Sequence, residues 1–405
     1  MEKVVIVMPA WNEEDNISKM IEELVDGEFP KINAEMHLLV VDNHSKDRTE
    51  EIVKEASKTR NNVHIIQQGD KSGLGWAYIS GFKYAMKELD ADAVMEMDAD
   101  FQHPPRFVKP MVEAYLQGAD YVIGSRYIQG GSIPKEWALF RKAVSYFGNL
   151  FIRIVLVKPK IHDLTTGFRL TRVKGVLENM DLDNLMEPGR FAHKVDLLYQ
   201  AIKNSKKTVE VPLEFASRTQ EKSKFNTKEM IATFRVATIL GIKDKARFIK
   251  FGTVGFAGYL VNAIALELFA DTSITLGLAN VFKGLKNTLL AFIAEPSAWA
   301  AAFAAELAII NNFIFNNIWT FKEKKITGFL AIIKKFLAFN LSTVGAIVIQ
   351  FIVIGVMVVF LGDTRLIRQL GILLAMPLVL SYNYVMYNLF IWKTWSFSKF
   401  FKKQE

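Results

Sequence analysis

An apolar run ends on paired acids in AVMEMDADFQHPP, where Ala93 to Met97 lead into Asp98, Ala99, Asp100, Phe101, Gln102 and His103. Asp98 and Asp100 repel one another unless a cation sits beside them. A hard divalent ion, Mg²⁺ or Mn²⁺, takes oxygen ligands and leaves places free for substrate phosphates, and Gln102 adds a neutral carbonyl oxygen. Such a set suits a metal-bound diphosphate, because the ion offsets charge that builds on a departing nucleoside diphosphate. The plain alternative is an aspartate-rich surface turn, since Asp-x-Asp alone is common.

The elements around this motif favour the chemical reading. Val4–Met8, His37–Val41, Val63–Gln67, Ala93–Met97 and Tyr121–Gly124 are short β-rich apolar runs bounded by turn residues. Helical patterns over Glu13–Val25, Asp47–Lys58 and Gly73–Leu89 fall between the first four. Alternation at this spacing predicts a parallel α/β sheet covered on both faces. In such sheets ligands bind beyond the carboxyl ends of the strands. Three polar clusters fall at those ends: Pro9–Glu13, Asp42–Ser45 and Asp98–Gln102.

The net charge of +8 does not point to nucleic acid. The excess Lys and Arg crowd the edges of long apolar stretches, at 243–250, 322–325 and 399–403, as expected beside anionic lipid headgroups. No zinc-finger spacing or RNA-binding aromatic signature is present. With no cysteine, disulfide and thiolate chemistry are excluded. The apolar run at the N-terminus is too short for a secretory signal. His44 and His162 lack zinc-ligand spacing, and His103, before two prolines, reads as structural.

Six segments, VVIVMPAWNEEDNI, LLVVDNHSKDRT, GLGWAYISGFKYA, MDADFQHPP, GSRYIQGG and DLTTGFRL, occur in this order. Together they closely resemble the family-2 inverting glycosyltransferases, in the dolichol-phosphate mannose synthase and polyprenyl-phosphate hexose transferase branch. The resemblance spans roughly residues 3–226. It implies a nucleotide-sugar-binding, Rossmann-like domain of GT-A type. By this resemblance Pro9, Trp11 and Glu13 match one nucleotide-binding loop, and Val41, Asp42 and Asn43 a second. Trp11 stands where tyrosine is frequent, and Asn43 where aspartate is. Asp98, Ala99, Asp100 and Gln102 match the metal and diphosphate motif, with Asp98, Asp100 and Gln102 as ligands. Arg126 matches a phosphate ligand, and Arg141 and Ser145 match positions that hold the acceptor lipid's phosphate. Arg218 and Lys224 match a basic loop that closes over the phosphates; Glu221-Lys222-Ser223-Lys224 lacks that loop's usual glycine. Asp163 matches a recurring aspartate, so Asp100, Arg126 and Asp163 form the expected catalytic set. The bland readings are surface arginines at 126, 141 and 218, a turn cap at Asp163, and a helix N-terminal charge at Glu13.

The implied acceptor explains why no strong base is visible. A sugar hydroxyl needs a general base, whereas a lipid phosphate is already an anion. Its oxygen can displace the nucleoside diphosphate in line, inverting the anomeric carbon. The protein's task is then to position two negatively charged reactants. The expected substrates are a nucleotide sugar, GDP-mannose first and UDP-glucose second, and dolichyl or polyprenyl phosphate, with Mg²⁺ or Mn²⁺ as cofactor and no nucleic-acid partner. A lipid-linked sugar transporter with a degenerate transferase domain is the reading from another class; the intact Asp98, Asp100 and Gln102 oppose it.

The second half is of another kind. Segments at about 248–270, 297–319, 336–361 and 367–392 are apolar and long enough to cross a bilayer, which predicts four transmembrane helices. RFIKFGTVGFAGYLVN resembles KKFLAFNLSTVGAIVIQ, and NNFIFNNIWTF resembles SYNYVMYNLFIWKTW more loosely, so the module reads as two helical hairpins. ANVFKGLKNTLLAFIAE, between the first two helices, reads as an amphipathic or re-entrant piece. The unit resembles GtrA-like membrane domains, which implies anchoring and leaves homo-oligomerisation through it open. The expected organisation is a transferase domain over 1–228, interfacial helix over 229–247 and membrane domain over 248–395. The basic flanks predict a multi-pass protein with catalytic domain and both termini cytoplasmic. Glu306 with Asn311, Asn312, Asn316 and Asn317 reads as polar glue between helices rather than a transport path.

Overall fold

A computed structural model describes residues 1–69, 73–217, 227–269, 272–285, 294, 296–361 and 365–395. The chain divides into two compact units, Met1–Asp244 and Lys245–Glu405.

The first unit is built on a seven-stranded sheet of β1 (Lys3–Ala10), β2 (Glu35–Asp42), β3 (Val63–Gln67), β4 (Ala93–Glu96), β5 (Tyr121–Ser125), β6 (Arg169–Arg172) and β7 (Thr208–Pro212), in spatial order β3-β2-β1-β4-β6-β5-β7. Its helices are α1 (Glu14–Ile21), α2 (Thr49–Thr59), α3 (Leu74–Lys87), α4 (Val108–Leu116), α5 (Leu139–Val155) and α6 (His193–Asn204). Val4 to Met8 are wholly buried because both faces of β1 are covered, which is why the strand reads as an unbroken apolar run. The period-2 alternation splits its side chains. Val5 and Val7 join α3, α6 and the first turns of α7 (Thr227–Phe269) in one core; Val4, Ile6 and Met8 join α1 and α4 in the other. The approach of α3 is close enough that a Cβ on Gly81 would lie 2.3 Å from Val7 Cγ1.

The sheet is not wholly parallel. β6 runs antiparallel to both β4 and β5, with Glu96 opposite Arg169 and Ile123 opposite Arg169. The chain returns from α5 through a loop rather than a crossover helix. The entrance to β6, residues 163–168, therefore lies at the same sheet edge as the exits of β4 and β5. Because β7 is parallel to β5, its exit lies there as well.

Two helical stretches of this unit differ in kind. Within 228–242 one face is core, with Ala232, Val236, Ala237 and Leu240 buried. α5 instead turns Phe140, Phe147 and Ile154 outward, with Phe147 63% exposed.

In the second unit the helical segments are the remainder of α7, then α8 (Ser273–Val281), α9 (Pro296–Phe315), α10 (Phe329–Leu361) and α11 (Arg365–Met386). Among the described residues three helical stretches are long and apolar enough to cross a membrane, Thr227–Phe269, Phe329–Ala346 and Leu374–Ile391. α9 is helical over Pro296–Phe315, where a span was expected, and is not among them. Most of the stretch between α8 and α9 lies outside the described residues.

The sequence echo has a structural counterpart. α9 and α11 each run into a π-helical turn, Asn316–Thr320 and Tyr387–Ile391. Each turn is closed five residues on, by Phe321 N–H donating to Asn316 O at 2.8 Å and Trp392 N–H donating to Tyr387 O at 2.9 Å. The closing residues stack, with ring centroids 4.4 Å apart and planes at 11°. Asn317 fastens the pair: its Oδ1 accepts from Ile326 N at 2.8 Å and Trp392 Nε1 at 3.0 Å, and its Nδ2 donates to Ile326 O at 3.1 Å.

Two stability predictions follow from these environments. Asn317→Ala leaves the buried Trp392 N–H and the Ile326 backbone without partners and should destabilise the second unit by about 2–4 kcal/mol; an unchanged thermal midpoint in detergent would contradict this. His193 is fully buried at the start of α6, and burial pushes its imidazole down to about 3. The unfolded chain, with an ordinary histidine value of about 6.5, binds that proton first. Stability present above about pH 6.5 is therefore lost as pH falls toward 3. His193→Gln should show a shallower drop in thermal midpoint between pH 7.5 and 4.5 than the parent; parallel curves would exclude the assignment.

Candidate active site

Three loops leave β1, β2 and β4 at the carboxyl edge of the sheet, and each contains a non-glycine residue in the left-handed region: Asn12 at φ 55°, His44 at φ 56° and Phe101 at φ 59°. Asn and His tolerate that conformation; for a bulky aromatic it is an outlier. Strain of this kind is held where surrounding contacts over-determine the backbone.

Those contacts are visible in the first two loops. Asn12 N donates to Ser45 Oγ at 3.0 Å, and Lys46 N donates to Asn12 Oδ1 at 2.8 Å. Glu13 N donates to Thr49 Oγ1 at 2.8 Å, which ties it to the start of α2. Pro9 pairs in register with Val41, and Ala10 with Asp42, so both expected nucleotide loops sit side by side. Trp11 is 47% exposed above them. Asn43 is partly buried, its N–H donating to Ala10 O. Asp42 is wholly buried. Its Oδ2 accepts from Ser45 N at 3.1 Å, while Oδ1 has no hydrogen-bond partner among the described residues. A buried acceptor without a donor is costly, and at a loop edge it marks a place where a ligand N–H or O–H can be received.

In the third loop Gln102 N donates to Asp100 Oδ1 at 3.1 Å, forming the tight turn that puts Phe101 in its left-handed conformation. His103 faces back and accepts the Asp98 N–H on Nδ1 at 3.1 Å, with its ring 5.1 Å from that of Phe168. Burial pushes this imidazole down to about 4, in keeping with Nδ1 as an acceptor. The Asp98 carboxylate accepts from Tyr78 OH at 3.0 Å and lies 3.7 Å from Lys194 Nζ. Ala99 is buried between the two acids, and Gln102 is buried too. The donor set of Asp98, Asp100 and Gln102 is all oxygen, which fits a hard divalent cation. No group of three or more His, Cys, Asp or Glu residues that could hold a metal occurs among the described residues. Two acids and an amide are too few for a self-sufficient cage, and they fit an ion completed by water and substrate phosphates.

The fourth component is an ion pair. Arg126, at the exit of β5, donates to Asp163 through Nε to Oδ2 at 2.7 Å and Nη2 to Oδ1 at 2.8 Å. Asp163 is 0% exposed. Burial would raise its carboxyl; the Arg126 guanidinium and the amides of Arg126, Thr165 and Thr166 outweigh that and hold it below the usual carboxylate range. Asp163 thus orients Arg126, and its bonds to Thr165 N and Thr166 N also cap the turn as the bland reading had it. Nη2 also donates to Thr165 Oγ1 at 2.8 Å. The guanidinium lies over the Phe215 ring at 5.3 Å, and its Nη1 makes no hydrogen bond among the described residues.

Arg141 and Ser145 lie one turn apart on α5. Arg141 stacks on Trp137 at 3.7 Å, and Ser145 Oγ is 2.6 Å from the hydroxyl of Tyr127, next to Arg126. Asn149, one turn further, accepts from Leu164 N at 2.8 Å and donates to Thr165 Oγ1 at 3.1 Å. Arg218 and Lys224 lie outside the described residues. Sequence reasoning missed Tyr78, Asn149 and Lys194, which reach the site from α3, α5 and α6. Nothing local distinguishes them, because their role depends on which loops the fold brings opposite.

Comparison with known proteins agrees with this architecture. Residues 5–178 match "Glycosyl transferase family 2", and residues 250–392 match "GtrA/DPMS, transmembrane domain". A dolichol-phosphate mannosyltransferase of Pyrococcus furiosus is 33% identical over 381 residues, 92% of this chain and 96% of that protein. A polyprenol monophosphomannose synthase of Mycolicibacterium smegmatis is 34% identical over 61% of this chain and 91% of its own. Among solved structures, glucosyl-3-phosphoglycerate synthase from Mycobacterium tuberculosis aligns at 17% identity and TM-score 0.41, covering 60% of this chain and 79% of that one. By its near full-length match to the Pyrococcus protein, the chain belongs to glycosyl transferase family 2, with a GtrA/DPMS-type transmembrane domain at its C-terminal end.

Proposed function

We propose that the protein transfers mannose from GDP-mannose to a dolichyl or polyprenyl phosphate, inverting the anomeric carbon. The observation that carries this reading is the gathering of Asp42, the Asp98–Gln102 turn and the Arg126–Asp163 pair at one sheet edge. The names of the relatives, which include an undecaprenyl-phosphate mannosyltransferase of Micrococcus luteus, support the sugar and the lipid class.

Each residue then has a task. Trp11 offers a flat face to the base, beside Pro9, Glu13, Val41 and Asn43, and Asp42 receives a donor on Oδ1. Asp98, Asp100 and Gln102 hold Mg²⁺ or Mn²⁺, with Ala99 keeping the turn narrow. A divalent cation there neutralises charge on the leaving diphosphate. Arg126 presents Nη1 to the acceptor phosphate while Asp163 fixes its direction; Asp163 is a positioning residue in this scheme. Arg141 and Ser145 complete the acceptor site, and Arg218 and Lys224, outside the described residues, supply positive charge for the diphosphate. The acceptor oxygen is an anion already, so no side chain has to take a proton from it.

The second unit anchors the enzyme through four helices, α9 included, with the catalytic domain and both termini cytoplasmic. Its outward side chains, Phe256, Ile264, Leu341 and Ile352 among them, suit hydrocarbon better than water. The outward face of α5 rests in the headgroup layer. The proposed domain limits are 1–228, 229–247 and 248–395.

A panel of GDP- and UDP-sugars with a short polyprenyl phosphate and Mn²⁺ or Mg²⁺, read by mass, tests the reaction. GDP-mannose should yield polyprenyl-phosphate mannose; glucose transfer from UDP-glucose alone would overturn the donor assignment. Asp100→Asn should cut metal-dependent turnover by about a hundredfold or more with an unchanged thermal midpoint. Arg126→Lys keeps the charge but loses the fork on Asp163. It should raise KM for the lipid phosphate by about tenfold and leave KM for the donor unchanged; an effect on the donor alone would place Arg126 on the diphosphate instead.

A further inference from the structure

Lys194, the second residue of α6, is buried at 2% exposure. A buried ammonium is costly unless it is paired. Its Nζ lies 3.7 Å from Asp98 Oδ2 and 4.8 Å from the centre of the Phe191 ring. Its own carbonyl accepts from Arg169 Nη1 at 2.6 Å, which locks the start of α6 to β6. The end of the side chain passes directly over Gly167, where a Cβ would lie 2.1 Å from Nζ. The glycine of DLTTGF is therefore the space this ammonium occupies.

The lysine is badly placed to touch substrate. Its side chain is 3% exposed, whereas that of Asp98 is 22% exposed, so Lys194 stands behind the acid. Glu96, two residues earlier on β4, is buried as well. Within the low-dielectric edge of the sheet a fixed positive charge at this distance changes what the acids offer to an incoming cation. Two bare carboxylates attract a divalent ion by themselves. One of them paired with an ammonium attracts it much less, until a diphosphate brings further oxygens and negative charge.

We propose that Lys194 is a positioning residue that makes metal binding depend on the nucleotide: it holds Asp98 from behind and offsets part of the acid pair's charge, so the divalent cation enters together with the donor's diphosphate. This rests on the metal-bound diphosphate reading above. It assigns Gly167 a role as well, since any side chain there displaces the ammonium.

The test uses the full chain in detergent micelles, Mn²⁺ as the probe and electron paramagnetic resonance to count free Mn²⁺, with and without GDP or UDP. The parent should bind Mn²⁺ weakly alone and more tightly with nucleotide. In Lys194→Met and in Gly167→Ala, affinity for Mn²⁺ alone should rise by about tenfold or more. The tightening caused by nucleotide should shrink by the same factor. The two variants reach the same end by different routes, one removing the charge and the other moving it, so either one that retains the parent's near-UV circular dichroism decides the matter. Folded variants that bind Mn²⁺ alone no better than the parent would overturn the proposal and leave Lys194 a structural residue. A parent that takes up no Mn²⁺ with either nucleotide would overturn the metal reading itself, a failure already visible before any substitution.

Discussion

A carboxylate with no exposed surface stays ionised only if its neighbours replace the water it has lost. Asp163 is ringed by the Arg126 guanidinium and by the amides of Arg126, Thr165 and Thr166. Removing one partner of such a pair costs far more than the pair contributes, because the other charge is left buried alone. Holding Asp163 against the exit of β5 imposes the topology. The loop at 163–168 can reach that edge only if the strand it feeds points the other way, which is how β6 runs. The same loop is bonded to Asn149 through Leu164 and Thr165. The guanidinium, the antiparallel strand and helix α5 are consequently one hydrogen-bonded unit. Arg141 and Ser145, carried by that helix, keep a fixed relation to Arg126 through the Ser145–Tyr127 contact.

Much of this fold was legible in the sequence where burial was complete. β1, β2 and β4 are covered on both faces, so they read as unbroken apolar runs, and the polar clusters after them marked the functional edge. β6 and β7 were not legible. Arg-Leu-Thr-Arg looks like surface, yet Arg169 is fully buried, with Nη1 on the Lys194 carbonyl. A charge that is satisfied only by tertiary contacts leaves no periodic trace. The same reason hid Lys194 and Tyr78, whose significance lies in facing Asp98 from distant helices. Asp163 was legible as a recurring aspartate but not as the partner of Arg126, because a single residue type does not reveal what it faces.

In the membrane half, length and apolarity announced the helices, and the weak repeat announced that the ends of α9 and α11 correspond. Neither predicted the π-turns that end α9 and α11. Those turns depend on how the Phe321 and Trp392 rings stack and on Asn317, whose side chain serves the backbone of Ile326 on both edges. The "polar glue" reading of the asparagines holds for this one in a specific sense: it fastens a chain reversal and an indole. Glu306 has a partner of the same kind in Asn340, whose Nδ2 donates to it at 3.3 Å. An amide facing a carboxylate lowers the cost of keeping that group in an apolar helix.

The remaining feature of the site is the cost at which its polar groups are held. Phe101 is held in left-handed backbone, and Asp42 keeps a buried oxygen without a donor among the described residues. Each of these costs free energy in the isolated protein. That cost is tolerable where a ligand repays it, as an N–H or O–H group donating to Asp42 Oδ1 would. A nucleophile that is already charged needs orientation and charge balance more than it needs a base. An active site for it should therefore be rigid, rich in paired charges and poor in titrating histidines. His103 and His193, both pushed well below neutral by burial, fit that requirement, since neither carries a proton that varies at working pH. A pH response of the chemistry would then not arise from these two imidazoles.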